Sequence, residues 1–393
     1  MSAERSWLSR ALSLELLDNR YPALHGLRVF AIISVVQFHV TWIFAGEQGI
    51  ALDRDWTASS LTVFFGMDLF FVLSGFLIGS ILMRSLEKDG KQHLKRFYIR
   101  RVSRTFPAYY IVLTFLVLTT SLTATQLAHL KYEYVYATNL VSLRREDIVM
   151  FWGWSLALEE QFYLLAPILF FFLWKLKSRK ARLVVLVVLW LAALFARLFV
   201  YFRHQPWSDL ALYEALYFRP LTRFDTLIAG IILAYVHAFM RERVAKFLSD
   251  PFHRGLVALG SLACLWLLVR PDMFGNENVQ LVHVFTWGTV TSVMYFGFLL
   301  LLLHGDGFVQ RVLGKSIFRR IATLGYGVYL VHIPLCDLVI VPIARALDQK
   351  HVSMLLVWPA SLALLMLGSL GLAYVIHVLI EKPSLWVRER LAG

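Results

Sequence analysis

Long apolar runs alternate with short Lys/Arg-rich segments along the whole chain. The runs are continuously apolar, with no period-two alternation. They therefore predict membrane-crossing helices and not the strands of a transmembrane barrel. Ten spans are expected, at 27–45, 61–83, 105–127, 153–174, 183–202, 220–240, 255–269, 282–304, 321–343 and 352–380. The run 255–269 is short for a hydrocarbon core of ~30 Å, and 352–380 is long enough to tilt. The segment 128–152, with Tyr132, Tyr134 and Tyr136, reads as an interfacial helix. Residues Met1 to Arg20 carry charges and no apolar stretch of the signal-peptide kind, so the first span is expected to stay in the protein. The expectation is all-α: a polytopic membrane helical bundle of about ten transmembrane helices, one domain over residues 1–393 with no appended soluble domain.

Composition agrees with that pattern. The chain is 59% hydrophobic with a mean hydropathy of +0.64. A net charge of +13 would suggest nucleic acid in a soluble chain, but between membrane spans it is an orientation signal. With the N-terminus inside, 28 of the 39 Lys and Arg fall in inside segments and 9 in outside ones, while Arg197 and Arg223 lie within spans. Both termini are therefore expected in the cytoplasm, and no nucleic-acid partner is expected. The two cysteines, Cys264 and Cys336, fall in apolar runs, so no disulfide framework and no metal-type Cys/His spacing arises.

Depth singles out the candidate chemistry. His39 stands eleven residues after Arg28, roughly 16 Å along a helix and near the middle of its span. His332 lies at similar depth in the ninth span. Asp68 in the second span and Glu159 in the fourth enter from the opposite side, and Arg223 and Asp225 start the sixth. Single charges are expensive in hydrocarbon, so these groups must face one another or a wet cavity. A histidine among carboxylates suits acid/base chemistry on a hydroxyl. It equally suits hydrogen bonding between helices. Arg28, Arg101 and Arg104 lie at the cytoplasmic face, where guanidinium forks can hold phosphate oxygens or simply set topology. His25, His237 and His377 fall outside the middle of the spans.

The motifs then resemble one family. Leu24-His25-Gly-Leu-Arg28 is followed after ten residues by His39. Gly66-Met-Asp68-Leu-Phe-Phe-Val-Leu-Ser74-Gly75 comes next, then the Arg-x-x-Arg of Arg101 and Arg104. Trp154-Ser155-Leu-Ala-Leu-Glu159-Glu160-Gln161-Phe-Tyr163, Thr222-Arg223-Phe-Asp225, Gly325-Tyr-Gly-Val-Tyr329-Leu-Val-His332-Ile-Pro334 and Glu381-Lys-Pro383 follow in order. From about Tyr21 to Pro383 the chain resembles the acyltransferase-3 family of integral-membrane O-acyltransferases, which modify bacterial surface carbohydrates and some secondary metabolites. It departs at His25, where the family usually has Asp, and at Val29, where Gly is common.

The resemblance implies an inner-membrane O-acyltransferase, most simply an O-acetyltransferase. The donor would be cytoplasmic acetyl-CoA or another acyl-CoA, as co-substrate and not a tightly bound cofactor. The acceptor would be a hydroxyl of a glycan, a glycolipid or a lipid-linked precursor. On that reading Arg28, Arg101 and Arg104 hold donor phosphates, and His39 is general base or transient acyl carrier. Glu159 or Asp68 orients the imidazole. Arg223 or Tyr163 stabilises the oxyanion, with Asp225 and His332 in the same acceptor group. A transporter of acyl groups or lipid-linked sugars would show the same buried charges, and the missing inverted repeat disfavours it.

The orientation is testable. In a background lacking Cys264 and Cys336, cysteines placed at Gly90 and Gly393 should be shielded from an impermeant thiol reagent in intact cells, and one at Asp53 should react. Labelling of the 84–104 segment from outside contradicts the assignment.

Overall fold

The computed structural model describes residues 12–14, 16–50, 54–142, 144–203, 209–270 and 280–391. Asp53, Gly393 and His204 lie outside the described residues. Helices dominate, and no strand occurs among the described residues. In chain order the principal helices are α1 (Ala23–Glu47), α2 (Thr62–Asp89), α3 (Leu94–Thr119), α4 (Ala124–Tyr134), α5 (Phe151–Lys175), α6 (Arg179–Arg203), α7 (Asp225–Phe239), α8 (Pro251–Leu268), α9 (Gln280–His304), α10 (Ser316–Asp348) and α11 (Met354–Leu391). Among the described residues, nine helices are long and apolar enough to cross a membrane.

The sixth expected span is the exception. Its helix α7 has 15 residues, and a separate turn, Pro220–Arg223, precedes it. At ~1.5 Å per residue α7 is about 22 Å long, short of a ~30 Å core. The third span also differs from its apolar run, because α3 begins at Leu94 and takes in the basic stretch as helix. Arginine and lysine stems cover apolar surface while their heads reach water, so a helix continues past its apolar run.

In the segment expected to be an interfacial helix, α4 ends at Tyr134 and is well capped. Thr123 and Gln126 form a reciprocal capping box at the start of α4. One face of α4 then grips the segment leading into α5. Thr123 Oγ1 donates to the Glu146 carbonyl (2.8 Å), Gln126 Nε2 to that of Arg145 (2.7 Å), and His129 Nδ1 to that of Asp147 (2.9 Å). The buried Glu133 carboxylate accepts the Val149 and Met150 N–H groups at 2.9 and 2.8 Å. Burial pushes its pKa up, against the lowering pull of those two bonds and His129.

The chain forms two units. Unit 1 comprises Met1–Phe64, Leu94–Phe115 and Gly307–Gly393; unit 2 comprises Phe65–His93 and Leu116–Asp306. In unit 1, α10 packs against α1 and α11. In unit 2, α7 packs on α2, α6 and α9, while α5 packs on α2 and α8 on α9. Of the apolar window of α2, 78% is buried, against 11% for α8, so α2 is the core helix and α8 a lipid-facing one. Exposed Leu164, Leu165, Ile168, Phe171 and Phe172 likewise give α5 an outward apolar face.

The α2–α7 contact is set by Gly75 and Gly230. A Cβ on Gly75 would overlap the Leu227 carbonyl oxygen, and one on Gly230 that of Val72. Interhelical contact at backbone distance gains packing that larger residues forbid. Gly230→Ala should therefore lower the thermal unfolding midpoint of the detergent-solubilised protein, with a cost of about 1–3 kcal/mol or more. Gly260→Ala on α8, where nothing lies within 4 Å of the added methyl, should leave it unchanged or slightly raised. Equal midpoints for the two variants would contradict this packing.

Candidate functional site

In unit 1, His39 of α1 meets His332 of α10. Gly325 and Gly327 on α10 allow this approach. An added Cβ at Gly325 would come within 2.6 Å of Ile32 on α1, and one at Gly327 within 2.9 Å of Ala373 on α11. The His39 and His332 rings lie 5.0 Å apart between centroids, with Nδ1 of His39 3.1 Å from Nε2 of His332. The other nitrogen of His332, Nδ1, is 2.8 Å from the Tyr329 carbonyl oxygen. His332 is fully buried, while His39 is partly exposed. Two residues beyond His39, the Thr41 hydroxyl accepts the Trp358 indole N–H at 3.1 Å, which ties α1 to α11.

The arginines of the proposed donor site also belong to unit 1. Arg28 is half-buried on α1, about three turns before His39. Arg101 and Arg104 stand three residues apart on α3, Arg101 half-buried and Arg104 exposed. Two bonds anchor that part of α3: Tyr326 OH donates to the Thr105 carbonyl (2.9 Å), and Ser384 Oγ to that of Ser103 (2.8 Å). His25 stands in the first turn of α1. Because α1 starts at Ala23, His25 is helical and buried, within electrostatic reach of Arg28 and Arg319. His377 is likewise buried, its Nδ1 2.7 Å from the Glu381 carboxylate.

Unit 2 holds the other charged candidates in two buried ion pairs and a hydrogen-bonded chain. Arg223 Nη2 donates to Asp68 Oδ1 at 2.6 Å, and both side chains are fully buried. The Arg223 guanidinium also lies over the Tyr217 ring, 4.4 Å from its centroid. Two residues on, Asp225 accepts from Arg197 Nη2 at 2.7 Å. All three nitrogens of Arg197 are engaged: Nε donates to the Val284 carbonyl (2.7 Å), Nη1 to that of Thr222, and Nη2 also to Thr289 Oγ1 (2.6 Å). On α2, the Ser74 hydroxyl donates to the Glu159 carboxylate of α5 and lies 3.2 Å from the Tyr163 hydroxyl. Since the Ser74 proton is directed to Glu159, the Tyr163 hydroxyl is the donor in that second contact.

The structure thus brings His39 to His332, Asp68 to Arg223, and Glu159 to Tyr163 through Ser74. The imidazole hydrogen-bonded to His39 Nδ1 is His332, and the Asp68 oxygen Oδ1 is held by Arg223. Two residues carry more than their sequence reading gave them. Arg197 is charged and deep in an apolar run, the same signal that singled out His39. Ser74 gives no such signal, because a serine in a span is unremarkable in composition.

Comparison with known proteins places this geometry in a family. The acyltransferase-3 family model, described as an acyltransferase domain, matches residues 21–378. The peptidoglycan O-acetyltransferase OatA of Listeria monocytogenes serovar 1/2a is 27% identical over 347 residues, which is 81% of this chain and 49% of OatA. YrhL of Bacillus subtilis strain 168 is 28% identical over 336 residues, covering 80% of this chain and 49% of YrhL. The chain spans about half the length of the curated relatives it matches. No solved structure matches it. With a family match over most of its length, and with nine helices fit to cross a membrane among the described residues, the chain belongs to the acyltransferase-3 family of multi-pass bacterial membrane proteins.

Proposed function

We propose that the protein is an inner-membrane O-acetyltransferase that moves the acetyl group of cytoplasmic acetyl-CoA to a hydroxyl of a cell-surface glycan or its membrane-linked precursor. The observation that carries this reading is the His39–His332 pair between two helices fit to cross a membrane, with Arg28 about three turns from His39 on α1. The likeness to a protein named as a peptidoglycan O-acetyltransferase supports a glycan acceptor.

The chemistry needs one base. His39 takes the proton of the acceptor hydroxyl as its oxygen attacks the thioester carbonyl carbon. The new C–O ester bond forms, the C–S bond breaks, and the departing thiolate takes the proton back. Arg28, Arg101 and Arg104 hold the donor's phosphates as forks. Arg223 Nε and Nη1 are buried with no hydrogen-bond partner among the described residues.

His39→Gln tests the base. Glutamine keeps hydrogen bonding but cannot take up and release a proton near neutral pH, so kcat for acceptor-dependent CoA release should fall by ~10²–10⁴. Donor binding should survive, and near-normal turnover in a folded His39→Gln protein would remove His39 from the mechanism. Arg101→Ala tests the donor site. A charge-assisted hydrogen bond contributes roughly 1.5–3 kcal/mol, so the acetyl-CoA KM should rise about tenfold or more. Lysine should rescue only in part, since it lacks the fork. Unchanged donor KM in Arg101→Ala assigns that arginine to topology alone.

A further inference from the structure

The hydrogen bonds around His332 fix more than its position. A neutral imidazole carries one N–H and one lone pair, on different ring nitrogens. A backbone carbonyl only accepts, so His332 Nδ1, 2.8 Å from the Tyr329 carbonyl oxygen, must carry that ring's proton. In the neutral ring Nε2 is then the lone pair. That atom lies 3.1 Å from His39 Nδ1, and two lone pairs form no hydrogen bond. The proton of His39 is therefore on Nδ1, and its basic lone pair is on Nε2.

We infer that His332 is the positioning residue that holds His39 in its Nδ1–H form and so makes Nε2 the basic atom. The kinetic part of this inference rests on the proposed role of His39; the tautomer part stands on geometry alone. The bond does more than orient. When Nε2 takes the acceptor's proton, His39 becomes an imidazolium, and its Nδ1–H donation to His332 becomes charge-assisted and stronger. An interaction that strengthens between ground state and transition state raises kcat and leaves binding alone.

The arrangement is built by both helices. Gly325, seven residues before His332, lies against the Ile32 side chain of α1, and Tyr329, one turn before His332, supplies the carbonyl that orients its ring. His332 is fully buried, so its acceptor atom faces His39 and no bulk water.

The test reads the tautomer directly. The full chain is labelled with ring-15N histidine, placed in lipid nanodiscs, and measured by 15N NMR near neutral pH. The His39 signals are assigned by their loss in His39→Gln. In the wild type, Nδ1 should be protonated and Nε2 unprotonated. In His332→Leu the lone pair that takes the Nδ1 proton is removed, and the Nε2–H form should appear. For acetyl-CoA with soluble peptidoglycan strands as probe acceptor, kcat of His332→Leu should fall on the order of 10²-fold with the donor KM unchanged. His332→Gln keeps an amide oxygen where Nε2 stood, so it should restore the Nδ1–H form and most of kcat. A wild-type His39 protonated on Nε2 overturns the inference. So does a doubly protonated His332, or a tautomer indifferent to His332→Leu. If the tautomer changes in His332→Leu while kcat does not, His332 still sets the tautomer and it is the base role of His39 that fails. Should His332→Leu fail to fold, the wild-type and His332→Gln spectra decide the question between them.

Discussion

Every charge carried into the apolar interior of this protein has to be met by another polar group, and that constraint organises unit 2. Arg223–Asp68 joins the start of α7 to α2, and Arg197–Asp225 joins α6 to α7. Desolvation makes such pairs weak net stabilisers, yet removing one partner leaves an unmatched buried charge, which costs about 3–5 kcal/mol in soluble proteins. The pairs therefore specify one arrangement more than they add stability. Close α2–α7 packing at Gly75 and Gly230 fits the same picture, because a shifted α7 would separate Arg223 from Asp68.

Unit 1 meets the constraint differently. There His332, buried, meets the partly exposed His39 in a pair of imidazoles, which can be neutral and still hydrogen-bonded. A neutral pair has a low burial cost and keeps a group able to gain and lose a proton. Fixed ion pairs suit an electrostatic frame, and a titratable neutral pair suits proton transfer. That contrast is the physical reason for centring the proposed chemistry on His39.

Much of this was legible in the sequence. Continuous apolar runs gave the spans, and depth along them marked His39, His332, Asp68, Glu159, Arg223 and Asp225. The ends of helices were less legible, since α3 takes in the basic stretch before its apolar run and α1 extends back over His25. The brevity of α7 was less legible, because the expected span 220–240 took in the turn Pro220–Arg223, which stands apart from the helix. Partners were not legible at all. Asp68 and Arg223 are 155 residues apart, and His39 and His332 293, and only tertiary packing decides which buried polar groups meet. Ser74 illustrates the point: its motif was visible, and its bond to Glu159 was not.

The central claim is that an acetyl group leaves a cytoplasmic thioester and arrives as an ester on an extracytoplasmic hydroxyl. The most direct measurement reconstitutes the purified chain in sealed vesicles with one face accessible, supplies acetyl-labelled CoA on the side of the 84–104 segment, and places soluble peptidoglycan strands on the other. The expected result is label recovered on the glycan as an alkali-labile ester, with one free CoA formed per ester. Label that crosses as free acetate or intact thioester, with no ester formed, would contradict acyl transfer and make the protein a transporter.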